Sequence, residues 1–278
     1  MSDLTYVHSV VLGVVEGLTE FLPVSSTGHL TITEGLLGLP VDDKAVTSFT
    51  AVIQLGAIAA TFLYFWRDIA RLAAAWFRGL RSEPLRKDPD YRLAWFVVVG
   101  SIPLGVVGLL AKNLITGPLR SLWVVAVALI AWSAVMWLAE SRASQRKGEH
   151  DVRLADVLVI GLLQCVSLVP GVSRSGATIS AGLLGGLDRV TATRLSFFLS
   201  IPALTAAGLY ELKDVDTTVV GSGQIVVGTV VSFAVAYASI AWLLRFVQRH
   251  PITVFVYYRV ALGVALVALL VSGVLSAT

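Results

Sequence analysis

Along this chain, long apolar runs are interrupted by a few dense polar knots. Ser48 to Trp66, Leu93 to Ala111, Leu122 to Ala139, Ala192 to Leu212, Ile225 to Leu244 and Thr253 to Val271 are each long and apolar enough to predict a membrane-spanning helix. Two other stretches depart from that pattern. Tyr6 to Leu22 is helix-like but carries Glu16 and Glu20 and runs into Pro23, and the helix-like piece after it, Ser25 to Leu39, is too short to cross alone. Leu154 to Leu187 has the same shape, with Pro170 at the break. Two half-length helices around a Pro and Gly break predict a re-entrant hairpin, which a bilayer tolerates only where it is buried in protein or lines a wet cavity.

These two hairpins are copies in a register of 148 residues. Val24-Ser25 matches Val172-Ser173, Thr27-Gly28 matches Ser175-Gly176, and Glu16 matches Gln164. The register continues through Leu36, Gly38 and Leu39 on Leu184, Gly186 and Leu187, then Ser48-Phe49 on Ser196-Phe197, and Asp68 on Asp216. Each copy is one hairpin plus three crossings, so the odd count inverts the second copy in the membrane. The expected fold is an all-α polytopic membrane protein of two inverted-topology repeats, each a re-entrant helical hairpin plus three transmembrane helices. It would form one integral membrane domain over residues 1–278, with repeat 1 at about 1–140 and repeat 2 at about 154–278.

Positive charge orients it. The connection 67–92, read as a loop, holds seven Lys or Arg, and Arg142 to Arg153 is a second basic connection. Placing both in the cytoplasm also puts Arg245 and Arg249 there, and leaves the Lys- and Arg-poor loops Ile115 to Arg120 and Lys213 to Gly223 outside. The first hairpin then enters from the external face and the second from the cytoplasmic face, so their tips meet near the bilayer midplane.

Composition agrees: 56% of the 278 residues are hydrophobic and only 14% charged, and the mean hydropathy is +0.82. Asp3 and His8 stand where a signal peptide would be basic, so no removable signal is expected. The net charge of +3 points to orientation and membrane lipids, not to nucleic acid. One cysteine, Cys165, excludes an internal disulfide and reads as a small apolar filler near a helix break.

Ionisable groups within such apolar flanks are functional candidates, because lipid exacts several kcal/mol, on the order of 3 or more, for an unpaired charge. Glu16 and Glu20 share a helix face and can converge on one divalent cation, Mg²⁺ or Ca²⁺, with water and substrate oxygens completing its shell. Ser25, Ser26 and Thr27 after Pro23, and Ser173, Arg174 and Ser175 after Pro170, place hydroxyls and backbone N–H groups at half-helix starts that suit phosphate. Many such hydroxyls are ordinary helix caps. Arg174 can grip a phosphoryl group, and His29, on the helical face of Ser25 and Ser26, can carry a proton. Gln54, Thr178, Arg194 and Glu211 are weaker candidates. The tips differ in chemistry, with Glu20 against Leu168, Ser26 against Arg174 and His29 against Ala177. That one-sidedness favours an enzyme over a carrier that merely rocks.

EGLTEFLPVSSTGH followed by PGVSRSG, together with FWRD and LSFFLSIP, resembles the bacterial undecaprenyl-diphosphate phosphatase, or bacitracin-resistance, family over essentially the whole chain. The resemblance implies an inner-membrane hydrolase with its site opening toward the periplasm. It would remove the terminal phosphate of the polyprenyl diphosphate lipid, recycling the carrier for peptidoglycan precursors and conferring bacitracin resistance. On the matching motif positions, Glu16 and Glu20 would support the metal, Ser26 would be the nucleophile, His29 the acid or base, and Arg174 the phosphate clamp. A metal-activated water is the alternative to Ser26, and an undecaprenyl-phosphate carrier on the same scaffold is the alternative to the enzyme. Monomer and homodimer are equally compatible with the sequence.

Overall fold

The computed structural model describes residues 4–39, 44–116, 119, 121–211 and 221–275, less the side chains of residues 44, 113, 116 and 211. The weak candidate side chain of Glu211, the repeat match Asp216 and most of the loop from Lys213 lie outside the described residues.

The first hairpin is α1 (Tyr6–Thr19) and α2 (Ser26–Leu36). Its arms hold 14 and 11 residues, or about 21 and 17 Å of helix, well short of the roughly 30 Å hydrocarbon core. Next come α3 (Lys44–Tyr64), α4 (Trp66–Arg81), α5 (Pro89–Leu110), the single turn α6 (Lys112–Thr116) and α7 (Leu122–Arg142). The second hairpin is α8 (Leu154–Gln164), a 3-10 turn over Cys165–Leu168, and α9 (Arg174–Leu184). α10 (Arg189–Glu211), α11 (Ser222–Phe246) and α12 (Thr253–Val271) complete the chain. Among the described residues α3, α5, α7, α10, α11 and α12 are long and apolar enough to cross a membrane, three in each half. The arms Tyr6–Thr19 and Leu154–Leu168 are apolar but shorter.

Unusual backbone conformations recur in the expected register. Ser25 (φ 78°) and Ser173 (φ 77°) are two of the three non-glycine residues with positive φ among the described residues, and they are repeat partners. Gly38 (φ 69°) and Gly186 (φ 86°), which end the two hairpins, are partners too. A left-handed serine costs on the order of 1–2 kcal/mol, so its recurrence in the same register marks a shared tip conformation. These correspondences are consistent with an inverted repeat.

One expectation is corrected. The basic connection 67–92 is not an open loop: Trp66–Arg81 is α4, and a 3-10 turn follows at Glu83–Lys87. Leu72, Ala75 and Gly79 are buried at helical spacing, while Arg67, Arg71, Arg78 and Arg81 occupy other positions. Its apolar and basic residues alternate with a clear helical period, but its mean hydropathy is too low for it to stand out among apolar spans.

Packing places the tips. α1 lies against α11 through Gly13 and Gly17, where a Cβ would sit 2.6 Å from the carbonyl oxygens of Gly228 and Ser232 respectively. Small residues four apart permit this approach, which lipid-embedded helices need because the surrounding tails supply no hydrophobic drive. Phe21 at the first tip is fully buried and meets Phe197 of α10 edge-on, with centroids 5.4 Å apart, and Phe197 in turn contacts Phe65. At one face of the bundle Arg71 bonds Asp68, Asp90 and Glu149, Arg194 bonds Asp68 and Glu149, and Glu140 receives Arg189 and the Ile252 N–H. These contacts gather the three basic connections on a single face.

Candidate functional site

The two tips touch. The Ser25 hydroxyl accepts from the N–H of Gly28 in its own helix and, at 3.1 Å, from the N–H of Gly171 in the other tip. Ser175 returns the link by donating to the Leu22 carbonyl at 2.9 Å. Ser173 caps α9 by accepting from the Gly176 N–H, and its hydroxyl lies 3.1 Å from that of Ser175. Ser25, Ser173 and Ser175, expected to bind phosphate, are thus buried and committed to capping and to joining the tips. Ser26, partly exposed, and Thr27, exposed, remain open on the first tip.

A chain of charge-assisted contacts crosses between the tips. Ser26 Oγ donates to Glu20 Oε2 at 2.6 Å, and Arg174 Nη2 donates to Glu20 Oε1 at 3.2 Å. The guanidinium is also braced from α10, where its Nη1 donates to the Ser196 carbonyl at 3.3 Å, while Thr178 bonds the Ser196 hydroxyl at 2.6 Å. Glu20 and Arg174 are both nearly inaccessible, and this pair is a buried ion pair with one carboxylate oxygen still serving a serine. A buried carboxylate that accepts a hydroxyl proton at this distance is placed to take it, provided the resulting oxygen has an electrophile to attack.

His29 does not meet Ser26 through a hydrogen bond. Its Nδ1 lies 2.7 Å from the Ser25 carbonyl, and its Nε2 lies 2.7 Å from the Tyr258 hydroxyl. The residue that shares the Ser26 proton in this structure is Glu20.

Glu16 is completely buried, and neither of its carboxylate oxygens has a hydrogen-bond partner among the described residues. Arg174 Nε is likewise unpartnered. Gln164, the repeat partner of Glu16, is also fully buried with both amide atoms unpartnered, but an amide lacks the charge to hold a cation. Two carboxylates four residues apart, one of them unpartnered, are hard oxygen donors of the kind that hold Mg²⁺ or Ca²⁺ together with water and phosphate oxygens. No cluster of three or more His, Cys, Asp or Glu that could hold a metal is found among the described residues. A divalent cation here would draw most of its shell from water and ligand oxygens, because Glu16 alone of the two carboxylates is unpartnered while Glu20 is engaged by Ser26 and Arg174.

Arg259 is the residue that sequence reading missed. It lies within α12, is fully buried, and donates to the carbonyls of Pro23 at 3.4 Å and Gly171 at 2.8 Å, which are repeat partners at the two tips. It also reaches Ser133 Oγ at 3.1 Å and the Leu129 carbonyl at 3.4 Å on α7. Gly171 is left-handed (φ 97°), and a Cβ there would press to 2.6 Å of the Val125 carbonyl, so the tip can come this close to α7 only as glycine. The available signal was a single charge within an otherwise apolar span. Of the weaker candidates, Arg194 belongs to the ion-pair network with Asp68 and Glu149, Thr178 braces the second tip, and Gln54 is half-buried on α3.

A family model described as bacitracin resistance protein BacA matches residues 9–265. Undecaprenyl-diphosphatase 1 of Streptomyces avermitilis is 58% identical over 277 residues, covering 99% of this chain and 100% of that protein. Undecaprenyl-diphosphatase 1 of Frankia alni is 58% identical over 278 residues and covers both chains fully. The undecaprenyl-diphosphatase of Acidothermus cellulolyticus is 57% identical over 272 residues, covering 98% of this chain and 99% of that protein.

Proposed function

This chain belongs to the bacitracin resistance protein BacA family, and on that premise we propose that it hydrolyses undecaprenyl diphosphate to undecaprenyl phosphate and inorganic phosphate. The observation that carries the reading at the level of chemistry is the Ser26–Glu20–Arg174 chain across the junction of two half-helix tips.

The substrate's terminal phosphate sits against the starts of α2 and α9, where the Ser25 and Ser173 caps take the N–H groups of Gly28 and Gly176 and the helix dipoles still present their positive ends. Arg174 turns its unpartnered Nε and its Nη groups to the phosphoryl oxygens and neutralises charge as it spreads over them. Ser26 Oγ attacks the terminal phosphorus while Glu20 takes the hydroxyl proton. The bond between that phosphorus and the bridging oxygen breaks, undecaprenyl phosphate leaves, and a phosphoserine remains. Water then attacks the phosphoserine, releasing inorganic phosphate and restoring the hydroxyl. Thr27, exposed beside Ser26, offers a further hydroxyl to the phosphate. Glu16 would hold a divalent cation, joined by Glu20 only while Glu20 does not carry the Ser26 proton, and the cation when bound would supply Lewis-acid neutralisation of phosphate charge.

The face that carries the basic connections is the cytoplasmic face, and the first hairpin reaches the site from the periplasmic side of the inner membrane. Release of inorganic phosphate from undecaprenyl diphosphate by the purified protein tests the reading, with Glu20→Gln and Arg174→Ala as site controls. Turnover that both substitutions abolish, in protein that still melts cooperatively, supports it. Lipid binding by the wild type with no phosphate release overturns it.

A further inference from the structure

α4 has three faces, and the bundle uses one of them. Leu72, Ala75 and Gly79 are buried, with Gly79 against the ring of Tyr91. Trp76 lies 5.7 Å from Trp95 between ring centroids, and Arg71 bonds Asp90. These contacts fall on the first two turns of α5, so α4 is pinned at the level where that span begins. The second face is apolar and exposed. Trp66 is 57% exposed, Phe77 56% and Leu80 45%, and Ala70 and Ala73 are exposed between them. Their spacing alternates between four and three residues, which lines all five along one side of the helix.

The third face is basic. Arg67, Arg78 and Arg81 are exposed on the flank beside the apolar stripe, in line with the exposed Ala74. None of the three has a carboxylate partner among the described residues, whereas Arg71 and Arg194 are engaged by Asp68, Asp90 and Glu149. The Arg67 guanidinium stands over the Trp66 ring, 5.8 Å from its centroid, and so holds a cation at the edge of the stripe. An apolar stripe at the end of the spans is covered by acyl chains at the depth of the headgroups, and guanidinium groups along its flank meet the charge that stands at that depth. Phospholipid phosphates match their paired N–H donors. A water-soluble acidic partner would leave the stripe uncovered.

We propose that α4 is an interfacial helix and an anionic-phospholipid site. Trp66, Phe77 and Leu80 lie among the acyl chains, and Arg67, Arg78 and Arg81 take the phosphates of anionic headgroups in the leaflet on the basic face. Phosphatidylcholine presents the same phosphate but offsets it with a cation, so the site selects phosphatidylglycerol over phosphatidylcholine. The site stands apart from the tips and is independent of the phosphatase reading.

Selectivity is read on the full-length protein in detergent, as the mole fraction of added phosphatidylglycerol or phosphatidylcholine that gives half the maximal rise in melting temperature. Phosphatidylglycerol is expected to act at an about tenfold or more lower fraction, and Arg78→Gln/Arg81→Gln should cut that ratio to about twofold or less. Arg245→Gln/Arg249→Gln, which removes two exposed charges from the same face outside α4, should keep the wild-type ratio. Placement is read in Cys165→Ala protein reconstituted in phosphatidylglycerol vesicles, with a bimane on Ala73→Cys in the apolar stripe or on Ala74→Cys in the basic flank. Bromines midway along the acyl chains should quench the label at position 73 about twofold or more over that at 74. No preference in wild type, a preference that survives Arg78→Gln/Arg81→Gln, or an equal loss in Arg245→Gln/Arg249→Gln overturns the site. Equal quenching at the two positions overturns the placement, and a label at position 73 shielded from bromine in a particle of doubled mass gives the stripe to a second copy of the chain and overturns the proposal.

Discussion

Replacing Arg259 with methionine separates geometry from stability. Methionine has a similar reach but no donors, so the substitution removes the bonds to Pro23, Gly171, Leu129 and Ser133 while filling much of the space. Hydrogen bonds between membrane helices average roughly 0.6 kcal/mol, so these four together are worth about 2–3 kcal/mol. Burying a guanidinium costs several kcal/mol in the opposite direction, and that cost disappears with the charge. The two nearly cancel, and the melting temperature of Arg259→Met is expected to stay within several degrees of wild type.

Activity has no such compensation. Arg259 holds the carbonyl of Pro23 on one tip and that of Gly171 on the other, and the Ser26–Glu20–Arg174 chain spans that same junction. A shift of about 1 Å between reacting groups is enough to cost on the order of 10²-fold in rate. The expected kcat for phosphate release in Arg259→Met is therefore about 10²-fold down, measured beside a thermal melt in the same detergent. Arg259→Lys restores charge but not the planar fork that reaches two carbonyls at once, so it should recover less than about tenfold. A variant with a normal melt and kcat within about threefold of wild type would refute the reasoning, because the tips would then hold their register without this tie.

Three further outcomes are expected. Ser26→Ala should lower phosphate release by about 10³-fold or more and abolish any ³²P-labelled phosphoenzyme trapped by acid quench; full activity would remove Ser26 as the nucleophile. Chelation with EDTA should stop turnover, and added Mg²⁺ or Ca²⁺ should restore it, with Glu16→Gln needing more cation for half-recovery; turnover indifferent to chelator would leave the unpartnered Glu16 without a metal to explain it. Gly17→Val should destabilise the protein by about 1–3 kcal/mol, read as a lower melting temperature, because its Cβ would press on backbone atoms of Ser232 and Ala236 that cannot swing away; an unchanged melt would mean that α1 and α11 are less tightly packed than described.

The ion-pair network at the basic face carries a different kind of information. Arg71 and Arg194 share Asp68 and Glu149, which ties α4, α5, α10 and the turn at Glu149–Asp151 together. Its side chains are a quarter to two-fifths exposed, so each pair alone contributes little to stability. The Arg194 guanidinium also rests over Phe65 and Phe198, which belong to the aromatic group that buries Phe21. The network thus connects α4 mechanically to the packing behind the first tip.

Much of this molecule was legible in the chain alone, because in lipid the backbone must satisfy itself locally and a helix is the direct way to do so. Hydropathy therefore located the six spans, and Thr253–Val271 is observed where it was expected. The 148-residue register foretold that Ser25 and Ser173 would share one conformation, since a local tip geometry is encoded by local residues. Glu16, Glu20, Ser26, His29 and Arg174 were visible as polar groups in apolar flanks. α4 was read as a loop although its amphipathic period is equally local, since its four arginines lower the mean hydropathy that identifies a span. What only the tertiary structure decided is which of these groups meet. Ser26 and His29 lie three apart on one helix and would be paired by spacing, yet Ser26 bonds Glu20 across the tip and His29 bonds Tyr258, 229 positions later. Arg259 could be seen as a charge in a span, but not as the donor to Pro23 and Gly171. Those pairings depend on how α12 packs against two hairpins, and contacts between distant segments are fixed by the simultaneous packing of many helices, which no local pattern of residues encodes.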